Sequence, residues 1–237
     1  MKTIELTNSD ANLGDTLALT AILKKYYGHV KVVDLPQTRS LYKIFDGIAD
    51  VEYTKDHQPD CNITNEFLPK SQKILNYYGV DDVNCIPKIK LTNDEIEWGK
   101  EELKSKGIES AIAINFVPKE EGNYRSIPED IVLNFIDSNY PNKQKLQFGL
   151  TKYIKQPNVH CISMLDYEIR QLAALYYNIG HYVGCDTGDY HLMLSVGGEC
   201  DVIVPESNWP TYHWPLHLYF EKLWKKEKPR VKYYANR

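Results

Sequence analysis

The chain has 237 residues, 43% of them hydrophobic and 25% charged, with a formal net charge of −4 and a pI of about 6.0. This suits a globular protein with its own core, built as one large or two small domains. The acidic balance argues against a nucleic-acid binder, no apolar run reaches the ~18 residues of a membrane span, and the polar opening does not resemble a signal peptide.

The five cysteines are scattered and form no C-x-x-C, which fits reduced thiols and a cytoplasmic setting. A first strand is expected at residues 3–6 and a helix at 15–27, with Leu17 and Ala21 on its apolar side and Gly28 as its stop. A β-branched strand at 30–35 ends at Pro36. Next come a short helix near 39–45, strands near 51–53 and 61–64, and a helix at 70–78. Residues 87–92 form an extended linker into a charged helix at 93–106.

A second alternation starts with an apolar strand at 111–116, a helix at 128–138, and strands at 145–150 and 159–162. Residues 163–166 have capping-box spacing before a helix that buries Ile169, Leu172, Ala173 and Tyr176. A strand at 182–185, a helix at 190–196, a strand at 202–204 and an amphipathic helix at 218–225 complete the series. The basic stretch 222–237 is expected to be a solvated tail, with peripheral contact to an anionic membrane surface as the alternative.

Strands alternating with helices predict an α/β fold with parallel sheets. The pattern divides into two βα halves with a seam near 88–110. Two Rossmann-like domains facing a cleft, the GT-B arrangement, are therefore expected, at 1–92 and 93–237. Ligands of such sheets sit at the carboxyl ends of the strands.

Three segments carry candidate chemistry. Gly14, Asp15 and Thr16 lie between the first strand and the first helix. Glycine lets the backbone approach a ligand, and a carboxylate at that strand end could serve as a general base. A plain N-cap aspartate is the competing reading of Asp15. The run Cys185-Asp186-Thr187-Gly188-Asp189-Tyr190-His191 feeds a buried strand through a turn into a helix. The N–H groups at that helix start suit a diphosphate, and His191 could donate to a phosphate oxygen. Asp186 suits a role in orienting the turn or accepting from a sugar hydroxyl, and an Asx-turn with a helix cap is the simpler alternative. Arg125, in the loop before Pro128, could neutralise a diphosphate or be a solvated cation.

Together these segments resemble the heptosyltransferases of glycosyltransferase family 9. Residues 12–28 are similar to the family's opening, a G-D followed by an apolar helix. Residues 123–128, N-Y-R-S-I-P, resemble its K-x-W-P segment, with Arg125 in the lysine position and Ile127 in place of the tryptophan. D-T-G-D-Y-H-L-M-L-S-V-G resembles its D-T-G-x-x-H-x-x-x-x-x-G, with Leu192 and Met193 where small residues are usual.

The resemblance implies an inverting transfer of a sugar from a nucleotide-diphosphate sugar to a hydroxyl of a glycan or lipid-linked saccharide, with heptose as the family's sugar. It implies no metal and no cofactor. Asp15 would be the catalytic base, with Gly14 and Thr16 beside it in a loop near base or acceptor. Arg125, Asp186, Thr187, Gly188 and His191 would bind the donor. Residues 1–92 would hold the acceptor and 93–237 the nucleotide sugar. The alternatives are a degenerate GT-B protein that binds a nucleotide sugar without transfer, or a nucleotide-sugar epimerase or hydrolase.

No P-loop, G-x-G-x-x-G or G-x-S-x-G sequence is present. His213 and His217 have zinc-helix spacing, but Pro215 stands between them and the intervening glutamate is absent.

Overall fold

The computed structural model describes residues 3–6, 13–14, 17, 20, 29–33, 43–48, 50–54, 88–117, 126–149, 156, 158–205 and 231–236. Two parallel sheets organise them. The first has the order β1 (Thr3–Leu6), β2 (His29–Val33), β3 (Asp50–Thr54). Residues 13, 14, 17 and 20, which follow β1, are helical, and a short 3-10 turn, Lys43–Phe45, precedes β3. The helix thus opens earlier than the expected start at Asp15, because Leu13 and Gly14 are already helical. The strand and helix expected at 61–64 and 70–78 lie outside the described residues.

The second sheet is built from β4 (Ala111–Asn115), β5 (Gln144–Gly149), β6 (Val159–Ser163), β7 (His181–Gly184), β8 (Glu199–Pro205) and β9 (Val231–Asn236). Their spatial order is β6-β5-β4-β7-β8-β9, and every pairing is parallel. Helices α1 (Asn93–Ser105), α2 (Glu129–Asn139), α3 (Ile169–Ile179) and α4 (Gly188–Ser195) connect or flank these strands.

Alternate residues of β4 face opposite cores. Ala111 and Ala113 join α1, α3 and α4 residues such as Leu103, Leu172 and Leu192. Ile112 and Ile114 join Val132, Leu133 and Ile136 of α2. Both faces are covered, so the strand reads as a continuous apolar run rather than an alternation.

Leu17, Ile44 and Phe45 from the first part of the chain enter the same core as α1, α3 and α4. Burying each such side chain contributes about 1.5–3 kcal/mol. Arg170 reinforces the attachment. It clamps Glu95 at both carboxylate oxygens, at 2.5 and 2.7 Å, and donates to the carbonyls of Lys43, Asp46 and Lys90. Its planar fork serves three separate segments at once.

Two expectations are corrected. Ser163 accepts from the Leu165 N–H and closes only a 3-10 turn, Met164–Asp166. Helix α3 starts later, with a reciprocal cap between Glu168 and Gln171. Its expected buried face is present, with Ile169, Leu172, Ala173 and Tyr176 all in the core. The basic stretch 222–237 is not simply a solvated tail, because Val231–Asn236 pairs with β8 along its whole length. Its valine, two tyrosines and alanine suit a strand, and the surrounding lysines mask that signal. The helix expected at 218–225 lies outside the described residues. No helix among the described residues is long and apolar enough to cross a membrane.

Candidate active site

The second sheet reverses its direction of growth between β4 and β7. From β4 the chain proceeds outward to β5 and β6, and from β7 it proceeds outward the other way, to β8 and β9. A crevice opens beyond the carboxyl ends of the two strands at such a switch point, and ligands of open α/β sheets bind there. Asn115 ends β4, and the Cys185-Asp186-Thr187-Gly188 turn follows β7 into α4.

Hydrogen bonds hold the two strand ends together. The Asn115 carbonyl accepts from the Cys185 N–H at 2.9 Å and from the Tyr182 hydroxyl at 3.2 Å. A β-carbon at position 184 would stand 1.9 Å from that carbonyl oxygen, so only glycine lets the strands approach this closely. The Asn115 side chain donates to Asp189 Oδ2 at 2.5 Å and accepts from the Val117 N–H at 3.1 Å. Thr187 is the N-cap of α4, yet its hydroxyl makes no capping bond. It turns inward, 3.3 Å from both Asp189 Oδ2 and the Tyr182 hydroxyl. Asp189 is buried, and burial pushes its carboxyl above the ordinary range against the opposing hydrogen bonds from Asn115 and Thr187.

On the crevice side, His191 Nε2 lies 3.5 Å from Asp186 Oδ1, with both side chains largely buried. The start of the first helix packs directly on this turn. A β-carbon at Gly14 would meet Cδ2 of His191 at 2.9 Å, and one at Gly188 would meet the Leu13 side chain at 3.0 Å. Five of the expected residues, Gly14, Asp186, Thr187, Gly188 and His191, are therefore gathered in one place. Asp15, Thr16 and Arg125 lie outside the described residues, as does the His213–His217 pair. Among the described residues, no group of three or more His, Cys, Asp or Glu side chains could hold a metal ion.

The polar seam of Asn115, Tyr182 and Asp189 went unassigned in the sequence. The available signals were an asparagine closing the run Ala-Ile-Ala-Ile and a second acid two residues after Thr187.

The fold is the α/β architecture found in glycosyltransferases of the GT-B kind. A glycosyltransferase family 9 structure from Veillonella parvula DSM 2008 matches over 99% of this chain and 86% of its own, at a TM-score of 0.63 and 13% identity. The E. coli ADP-heptose LPS heptosyltransferase II matches over 94% of this chain and 72% of its own, at a TM-score of 0.50 and 14% identity. The iron-containing dodecameric glycosyltransferase TibC of enterotoxigenic E. coli matches over 85% of this chain at a TM-score of 0.55 and 9% identity, and this chain spans 57% of it. No family model and no curated protein sequence matches the chain. At these identities the likeness is one of fold.

Proposed function

We propose that this chain is a cytoplasmic, metal-independent, inverting glycosyltransferase that moves a sugar from a nucleotide-diphosphate sugar to a hydroxyl of a glycan or glycolipid. One observation carries the reading: Gly14, the residue before Asp15, packs on His191 at the switch-point crevice. Gly14 and His191, far apart in sequence, are thereby neighbours, and Gly14 directly precedes the candidate base in the chain. Residues 1–92 form the acceptor side and residues 93–237 the nucleotide-sugar side.

In this reading the donor diphosphate lies against the start of α4. The first N–H groups of a helix have no acceptor within the helix and favour an anion. His191 and Arg125 add donors to the phosphate oxygens, and Asp186 orients His191 and the turn. Asp15 takes the proton of the acceptor hydroxyl as its oxygen attacks the anomeric carbon. The bond from that carbon to the diphosphate oxygen breaks, and its electron pair leaves with the phosphate. Attack opposite the leaving group inverts the configuration. Arg125, His191 and the helix N–H groups stabilise the departing charge, which replaces the role a divalent cation would play. The likeness to the E. coli ADP-heptose heptosyltransferase supports a heptose as the sugar of the donor.

The test is a thermal-shift screen against nucleotides and nucleotide-diphosphate sugars in EDTA. A ligand at about 100 times its Kd adds about 2.7 kcal/mol to the native state, a clear rise in Tm. A shift with one nucleotide-diphosphate sugar in EDTA is expected. No shift with any of them overturns the donor site, and a shift that EDTA abolishes overturns metal independence.

A further inference from the structure

Asn115 bonds both to the chain leaving β4 and to the start of the turn after β7. Its side-chain oxygen accepts from Val117, where the chain leaves β4 towards the loop carrying Arg125, and its main-chain oxygen accepts from Cys185, where the donor turn begins. Its side-chain amide nitrogen donates to Asp189. Asp189 also receives the Thr187 hydroxyl, the side chain that would otherwise cap α4. One buried carboxyl therefore sets the amide plane of Asn115 and the rotamer of Thr187 together.

On the face of the sheet that carries this pair the packing is aromatic, with Tyr176, Tyr182 and Tyr190 all fully buried. A buried polar pair in such surroundings is commonly no more stable than well-packed apolar side chains of the same volume. What it supplies is a single fixed geometry. Burial favours the uncharged acid at Asp189, which limits the negative charge beneath a turn assigned to phosphate.

We propose that Asp189, acting through Asn115 and Thr187, is a positioning residue for the donor: it holds the Asn115–Val117 end of β4 and the Asp186–Gly188 turn in the one register that grips a nucleoside diphosphate. This rests on the transferase reading above. Asp189 touches no donor atom.

The experiment titrates ADP, GDP, UDP, CDP and dTDP calorimetrically into the full chain in EDTA, with Tm measured in parallel. The nucleoside diphosphate that wild type binds best is then titrated into Asp189→Leu, Asn115→Asp and the exchanged double variant Asn115→Asp/Asp189→Asn. Asp189→Leu, which leaves the Asn115 amide and the Thr187 hydroxyl without their acceptor, is expected to lower Tm and, at a temperature where it is still folded, to bind roughly tenfold more weakly, the equivalent of one lost hydrogen bond. Asn115→Asp, which sets two acids face to face, is expected to bind at least as weakly. The exchanged pair, which restores an amide opposite a carboxyl, is expected to recover most of the affinity.

Wild-type affinity in Asp189→Leu overturns the positioning role and leaves the transferase reading standing. If Asp189→Leu does not fold, the exchanged pair decides, and failure to recover beyond Asn115→Asp overturns the proposal. A wild type that binds none of the five nucleotides overturns the donor site itself, and the positioning role with it.

Discussion

On the β7–α4 side of the crevice, Asn115, Tyr182, Thr187 and Asp189 hold one another through directional hydrogen bonds. On the facing side, Leu13 and Gly14 reach Gly188 and His191 by close packing, and further along Thr20 accepts from the Lys88 N–H at 3.0 Å. Hydrogen bonds fix angle as well as distance, whereas apolar packing fixes distance and tolerates sliding. On the proposed reading the first wall recognises one rigid group, such as a diphosphate, and the second belongs to the segment that carries the candidate base.

If the walls divide the labour in this way, the largest effect falls on turnover. Asp15→Asn is expected to reduce transfer by ~10²–10⁴-fold, the usual contribution of a general base, while donor affinity stays near wild type. Equal losses in rate and donor affinity would erase the division. Next in size, His191→Ala and Arg125→Ala are each expected to weaken donor binding by about 1.5–3 kcal/mol, the range for a hydrogen bond to a charged group, and also to slow transfer. Unchanged calorimetric affinity and rate in both would remove them from the recognising wall.

A smaller effect is expected where the walls touch. In Gly14→Ala the added methyl, 2.9 Å from His191 Cδ2, must displace the ring. Overpacking of this kind costs about 1 kcal/mol, read as a several-fold loss of donor affinity. Unaltered affinity would show that the packed wall yields without moving His191.

The smallest effect concerns attachment away from the crevice. The hydrogen-bonded Arg170 guanidinium lowers the Glu95 carboxyl from 4.5 to about 2. A depressed carboxyl contributes stability above its unfolded value and loses it on acidification. Denaturant midpoints are therefore expected to fall between about pH 4.5 and 2, and Glu95→Gln is expected to flatten that slope. An unchanged slope would show that Arg170 does not hold Glu95 in solution.

Most of the second sheet was legible because its strands are buried on both faces. Ala111–Ile114 and Tyr182–Val183 are apolar runs bounded by polar turns, and the α3 face repeats at helical spacing. Helix starts were less legible. Glu168 is not among the favoured N-cap residues, so Ser163 drew the capping assignment instead. The start at Gly188 was missed because glycine is a weak helix former. β9 was hidden by its lysine-rich surroundings. At the site, motif residues could be named one by one, since each motif is local. The Asn115–Asp189 bond could not, because its partners are 74 positions apart and meet only once β4 and β7 are in register.

The all-parallel pairing carries a kinetic consequence. Parallel neighbours cannot be joined by a tight hairpin, so every strand pair must close a long loop before any contact offsets the lost chain entropy. Ala113 against Tyr182 is such a closure, and it brings the two lips of the crevice together. The crevice is therefore a late product of folding, assembled after local helices such as α1 and α3 can form, and refolding is expected to regain helical signal before it regains any capacity to bind a nucleotide.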